Sequence, residues 1–257
     1  TESGKRHNFP KVYRTLNIPL QAIEQAVKSD RLSEAKVYLA LKFSAGNGQI
    51  LLSEINYNQV CGISGFKDVR TVKGHIETLI RLNWLGRCDK WLYIRSLDRF
   101  RIEANAPTRT AVEVTPDDVR HLLELSLGAK IKHSAKAKQH ARKKAGAKPN
   151  AKRQTRKNDL SPVDISCTLI GDWYNFSPST ASRLKQRAKA LGYFDYDHRN
   201  DVLPIKARQL PAYLKAMGLD MSHFFIKGNK VFERKTDRFI IGKGDLHTYH
   251  FKTRCAV

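Results

Sequence analysis

This chain is short of acids. It carries 24 Asp and Glu against 47 Lys and Arg over 257 residues, a formal net charge of +23. Such an excess repels itself and calls for a polyanion to offset it. DNA, RNA and an acidic membrane surface are the candidate classes. Long apolar runs are missing too. None approaches the roughly 18 to 20 residues of a spanning helix. The basic middle of the chain lacks the interleaved Trp, Phe or Leu of an interfacial helix. No signal peptide is visible in Thr1 to Leu20, because Lys5, Arg6, Lys11 and Arg14 interrupt it. A cytoplasmic protein without a membrane partner is expected.

Cysteine is scarce. Cys61, Cys88, Cys167 and Cys255 form no Cys-x-x-Cys pair, and no Cys/His cluster has zinc spacing. They read as thiols in a reducing compartment. There is no Walker A loop, no Gly-x-Gly-x-x-Gly and no His-Glu-x-x-His. The absence of His-x-x-Arg disfavours tyrosine recombination. His247-Thr248-Tyr249-His250 is a loose match to a metal-assisted tyrosine nickase. Asp195, Asp197, His198 and Asp201 form an acidic cluster of the kind a metal-dependent nuclease uses, but acids are also common in turns. No catalytic residue, metal or cofactor is expected.

What is present is organisation. The length suits two domains. Pro19 to Lys28 reads as a short helix with Leu20, Ile23 and Val27 on one face. A helix capped by Ser33 follows, with Glu34 in its first turn and Val37, Tyr38, Leu39 and Leu41 as apolar residues. Gly46-Asn47-Gly48 stops it. Gln49 to Leu52 reads as a strand. Helices then run from Ser53 to about Cys61 and from about Lys67 to Asn83, separated by Gly62-Ile63-Ser64-Gly65. Trp84 to Leu97 alternates as a hairpin, with Trp91, Tyr93 and Arg95 on one face and Leu92, Ile94 and Ser96 on the other.

That order resembles a winged helix. Thr71-Val72-Lys73-Gly74-His75-Ile76-Glu77-Thr78-Leu79-Ile80-Arg81-Leu82-Asn83-Trp84-Leu85-Gly86 is similar to the recognition helix and first wing strand of bacterial winged helix-turn-helix proteins. A second unit opens at Ser161-Pro162-Val163-Asp164, a capping-box-like start. Ile165, Leu169 and Trp173 line its apolar face, and Asn175-Phe176 makes the turn. Ser177-Pro178 begins a second recognition helix that runs to Leu191 and ends at Gly192. Tyr193 to Leu203 reads as a wing with Asn200 near its tip. Thr115-Pro116-Asp117-Asp118 opens a helix to about Leu127. Ala207 to Met217 reads as a helix. Phe224–Ile226 and Lys230–Glu233 flank the hairpin turn Gly228-Asn229, and Phe239–Ile241 reads as a third strand.

Between the two units, Ala129 to Asn158 holds twelve Lys or Arg and no acid. Its Ala-rich part has helix propensity opposed by like-charge repulsion, which nucleic acid would relieve. The expected division is a basic arm over 1–18, a first winged-helix domain over 19–105, a connecting helix over 106–128, a basic linker over 129–158, and a second winged-helix domain with a C-terminal hairpin over 159–257. The expected fold class is α+β, mainly helical.

Helical spacing separates core from contact. In the first recognition helix Val69, Val72, Ile76, Leu79 and Ile80 face inward. Lys67, Arg70, Thr71, Lys73, Thr78 and Arg81 are candidate DNA contacts. Gly74 allows close approach to a backbone, and Asp68 and Glu77 lie at the margins. In the second, Ala181, Leu184, Ala188 and Leu191 face inward. Ser177, Ser179, Thr180, Ser182, Arg183, Lys185, Gln186 and Lys189 are candidate contacts. Ser182, Arg183 and Gln186 are best placed for base edges, since Gln and Arg pair bidentately with adenine and guanine. Arg187 lies nearer the core side. From the linker, Lys136, Lys138, Arg142, Lys143, Lys144, Lys152, Arg153, Arg156 and Lys157 are candidate phosphate contacts.

Tandem winged helices in one basic chain resemble the replication initiators of plasmids and other mobile elements, and also transcription regulators. The expected function is sequence-specific, non-catalytic binding of double-stranded DNA. RNA or ribonucleoprotein binding is the first alternative, and DNA nicking the second. A homodimer or multimer on DNA stays open.

Overall fold

The computed structural model describes residues 15–45, 48–98, 110–144, 163–221, 224–240 and 246–248. Contacts divide the chain into two compact units: Thr1–Ala129 with Gly244–Val257, and Lys130–Lys243. The chain is α+β and mainly helical.

The first unit is built on α2 (Leu32–Ser44). Val37, Tyr38, Leu39, Ala40 and Leu41 are all buried, so this helix is enclosed on every side. Around it lie α1 (Leu20–Lys28), α3 (Tyr57–Ser64) and α4 (Val69–Arg81). A small sheet of β2 (Gln49–Leu51), β4 (Trp91–Ile94) and β3 (Leu85–Cys88) closes one side, in the order β2-β4-β3. A second sheet has the order β1-β5-β10, from β1 (Leu16–Pro19), β5 (Thr110–Val114) and β10 (Leu246–Thr248).

Four expectations for this unit need correction. Leu16 and Ile18 do not belong to a polar arm. They are buried in β1, which pairs antiparallel with β5. The segment 106–128 is not simply a connecting helix, because β5 lies within it. Ser33 does not cap α2. The helix starts one residue earlier, after Arg31, with no side-chain cap. Asp30 takes a positive φ of 55°, and Arg31 N–H bonds to Ala26 O at 2.7 Å. The tight turn therefore fixes the start instead. The helix placed over Ser53 to Cys61 begins at Tyr57, with a 3-10 turn over Leu52–Glu54 ahead of it, and continues through Gly62.

Thr115 and Asp118 bond reciprocally ahead of the next helix, with Asp118 N–H donating to Thr115 Oγ1 at 3.3 Å. The Asp118 carboxylate accepts from Thr115 N–H at 2.9 Å and from its hydroxyl at 2.6 Å. The helix that follows a 3-10 turn is α5 (Leu122–Lys144), and it runs far past Leu127. The first half of the supposed linker is therefore helical. Ile131 and Ala135, one turn apart, are buried. Burial and alanine propensity outweigh the like-charge repulsion there.

The second unit holds β6 (Val163–Asp164), α6 (Cys167–Tyr174), α7 (Pro178–Ala190), β7 (Asp195–Lys206), α8 (Leu210–Met217), β8 (Phe224–Lys227) and β9 (Lys230–Ile240). The sheet order is β6-β9-β7, with β8 also paired to β9 through the expected hairpin at Gly228. The helix expected from Ser161-Pro162 does not start there. Val163 is buried, Asp164 exposed and Ile165 buried, the alternation of a strand. Tyr193 to Leu203 is not a local hairpin. β7 is one long strand against β9, with an irregularity at Arg199/Asn200 where the wing tip was expected. Phe239 belongs to β9 itself. Because β10 pairs with β5, the last segment returns to the first unit, and the second domain does not extend through 257.

Residues 1–14 of the arm, Gly46-Asn47, Ser161-Pro162, and Lys152, Arg153, Arg156 and Lys157 of the linker lie outside the described residues. So do Tyr249 and His250, and the side chains of Lys138, Arg142, Lys143 and Lys144.

Candidate nucleic-acid interface

Each unit presents one 13-residue helix, α4 and α7, that follows a shorter helix across a tight turn. In the first unit Asn56 caps α3 by accepting from Gln59 N–H at 3.1 Å. Gly65 ends α3 at φ +83°, a conformation glycine adopts without strain. Asp68 then caps α4, accepting from Arg70 N–H at 2.9 Å. The carboxylate is thus occupied at the helix start, where negative charge opposes the positive end of the helix dipole. Val72, Ile76 and Leu79 are buried, as their spacing predicts. His75 Nδ1 lies 3.1 Å from Glu34 Oε1, which ties α4 to α2.

The outward side of α4 exposes Lys67, Arg70, Thr71, Lys73, Gly74 and Arg81. Two of the expected contacts are already engaged. The Thr78 hydroxyl donates to Gly74 O at 3.1 Å, and Arg81 Nη2 donates to Thr78 Oγ1 at 3.0 Å. Lys73 Nζ lies 5.0 Å from the centre of the Tyr57 ring. Glu77 is exposed and is shared loosely with Arg87 of β3 at 3.9 Å.

In the second unit Ser166 caps α6 by accepting from Leu169 N–H at 3.1 Å. Ile170 and Tyr174 form its buried face. Leu169 is 40% exposed and Trp173 half-buried, with Lys130 Nζ 5.3 Å from the Trp173 ring centre. The apolar face is therefore rotated from the expected one by about one residue, or roughly 100°. The later helix start, at Cys167, accounts for the change. Asn175 turns the chain at φ +59°, and Phe176 N–H bonds to Gly171 O at 2.9 Å. A Cβ on Gly171 would lie 2.6 Å from Phe176 O, so only glycine fits this approach.

Ser177 caps α7, accepting from Thr180 N–H at 3.2 Å with Pro178 at the first helical turn. Its hydroxyl also lies 3.0 Å from Thr180 Oγ1, so both side chains serve the cap. Ala181, Leu184 and Ala188 are buried as expected, but Leu191 is 42% exposed. Ser179, Arg183 and Gln186 are exposed and Ser182 half-buried, at helical spacing that sets all four along one side. Arg187 is exposed rather than on the core side.

Two lysines leave the set. Lys185 is only 3% exposed, with Nζ 4.7 Å from the centre of the Tyr196 ring. Lys189 Nζ lies 2.6 Å from Asp195 Oδ1, donates to Tyr196 O at 3.1 Å, and stands 4.6 Å from the same ring. Spacing along α7 placed both outward. β7, folded against the end of the helix, captures them. The hydrogen bond from Lys189 holds the Asp195 carboxyl below its usual range, helped by the Tyr196 N–H.

Asp195 is therefore engaged by lysine. No group of three or more His, Cys, Asp or Glu fit to hold a metal occurs among the described residues. No helix among them is long and apolar enough to cross a membrane.

Sequence reasoning named no candidate residue on the β3–β4 hairpin. Arg87, Lys90 and Arg95 are exposed on or beside it. Their positions in sequence just after α4 were the available signal. The hairpin is anchored from below. The Tyr38 hydroxyl donates to Arg95 O at 2.6 Å, and Lys42 Nζ donates to the same oxygen at 3.2 Å. Burial pushes the Tyr38 phenol up and the Lys42 ammonium down.

Comparison with protein families, with curated proteins and with solved structures finds no match to this chain.

Proposed function

We propose that the protein binds double-stranded DNA sequence-specifically and without catalysis, through two winged helix-turn-helix units, as replication initiators and transcription regulators do. One observation carries the reading. α7 is a capped helix that contains no Asp or Glu and exposes Ser179, Arg183 and Gln186 along one side. Arg and Gln recognise guanine and adenine edges, and small hydroxyls tolerate phosphate or base. A merely solvated face would be expected to mix both signs. α4 supports the same reading, with Asp68 at its N-terminus occupied as a cap and its one internal acid, Glu77, shared loosely with Arg87. The net charge of +23 supplies the sequence-independent attraction.

Selection of bound fragments from a random duplex pool tests the proposal. Recovery of a common sequence is expected, with structured RNA a weak competitor at the same salt. Recovery of no motif, or displacement by RNA at equal concentration, would replace it with non-specific or RNA binding. Nicking of supercoiled plasmid in Mg²⁺ or Mn²⁺ would show catalysis instead.

A further inference from the structure

On β4, Trp91 and Tyr93 are 37% and 41% exposed, while Leu92 and Ile94 are 0% and 5% exposed. Large aromatics normally bury 150–250 Å² each and dominate cores and interfaces. Two on one face of a short strand leave an apolar surface facing water. The register sets Gly86 opposite Tyr93 and Cys88 opposite Trp91. A Cβ at Gly86 would lie 3.6 Å from Tyr93 Cβ and 3.8 Å from Arg95 Nη2. Any larger residue would thus cover the flank of the Tyr93 ring, which glycine leaves bare.

The rings are firmly mounted. The strands join through a two-residue turn in which Asp89 takes φ +50°. Ile94 N–H bonds to Gly48 O at 2.7 Å, and the bonds from Tyr38 and Lys42 fix the Arg95 carbonyl. The rim is cationic: Lys90 in the turn and Arg95 beyond the strand are exposed, against one acid in the turn, Asp89.

We propose that the outward face of the β3–β4 hairpin is a stacking platform for single-stranded DNA. Trp91 and Tyr93 each take the flat face of an unpaired base, and Lys90 and Arg95 take the flanking phosphates. Stacking suits any base, because each has a π-face, and contributes about 1–3 kcal/mol per base by alanine substitution. Bases inside a duplex are already stacked and would leave the rings unsatisfied. The cationic rim favours a polyanion over an apolar protein partner. The choice of DNA over RNA rests on the duplex reading above: α4 leads into β3 through Asn83, so a strand parting from a duplex on α4 would lie within the same unit.

The test uses the full chain with labelled oligothymidylate and a labelled duplex at one salt concentration, read by anisotropy. Trp91→Ala/Tyr93→Ala should lose at least tenfold on oligothymidylate and less than twofold on duplex, while Trp91→Phe stays within threefold on both. In a Trp173→Phe background, saturating oligothymidylate should quench the emission from Trp91, the other tryptophan being buried Trp84. Absence of quenching overturns the platform whether or not the alanine variant folds. So does an equal loss on duplex and single strand, which would make the hairpin an ordinary duplex contact. Tighter binding of oligouridylate through the same rings overturns the assignment to DNA. Binding of oligothymidylate without binding of duplex would retain the platform and reject the duplex reading.

Discussion

Lys189 and Asp195 are joined across the junction of α7 and β7, Nζ to Oδ1 at 2.6 Å. The pair takes a cation from the end of the candidate reading helix and leaves Arg183 and Gln186 as its principal outward groups. Asp195→Asn should release Lys189. Affinity for all duplexes should rise, and the salt dependence should steepen by up to about 0.9 in log-log slope for one gained phosphate contact. Binding titrations between two salt concentrations measure this, and an unchanged slope would leave Lys189 bound to Tyr196.

The same pair sets a pH dependence. The folded-state carboxyl of Asp195 is depressed chiefly by its bond from Lys189. Its contribution to stability is therefore complete above the unfolded-state value and is lost as pH falls through the lower, folded one. An NMR titration of the Asp195 carboxyl should show a midpoint below that of an ordinary aspartate. Lys189→Ala should move it upward. A midpoint insensitive to Lys189 would contradict the bridge.

Arg183→Ala and Gln186→Ala should each cost about 1–3 kcal/mol on the selected site and little on random duplex. Lys185→Ala should act differently, through the packing of a buried stem against Tyr196 rather than through base choice. Equal losses on both duplexes for Arg183 and Gln186 would assign them to phosphates.

Gly171→Ala should destabilise the second unit by about 1–3 kcal/mol, the usual cost of overpacking, because its Cβ would lie 2.6 Å from Phe176 O. Thermal unfolding monitored at Trp173 reads this. Wild-type stability would show that the turn relaxes freely.

Tyr174→Ala should cost more than Trp173→Ala. Tyr174 is 1% exposed and stacks on Phe176 at 5.9 Å between centroids. Truncating a buried aromatic costs about 3–5 kcal/mol. Trp173 is half-buried under Lys130. Chemical denaturation of the two variants ranks them, and the reverse order would restore Trp173 to the core.

Much of the local structure was legible because its signals are local. The period of Val72, Ile76 and Leu79 located α4, the alternation from Trp91 to Ile94 located the hairpin, and Ser177-Pro178 located the start of α7. Ser161-Pro162-Val163-Asp164 misled because the residue types of a cap also suit a short strand entering a sheet. There the distant pairing of Val163 with Phe239 decides. The sheet of β1, β5 and β10 left no trace in short windows, since its partners are about a hundred residues apart. Lys185 and Lys189 were misassigned for a related reason. A helical wheel shows which side a lysine occupies, but not that Tyr196 and Asp195 fold back to meet it.

The pairing of β10 with β5 also constrains the order in which the chain is made. The second unit lies between these two strands in sequence, so among the described strands of its sheet β5 leaves the ribosome with β1 alone to pair with. At about 5–20 residues per second, on the order of ten seconds pass before β10 follows. During that interval the far edge of β5 offers unpaired backbone groups to any passing strand. Nascent chains of this protein should therefore be most prone to mispairing after β5 emerges and before Leu246–Thr248 arrives. Chains released before Leu246 is made should keep that open edge.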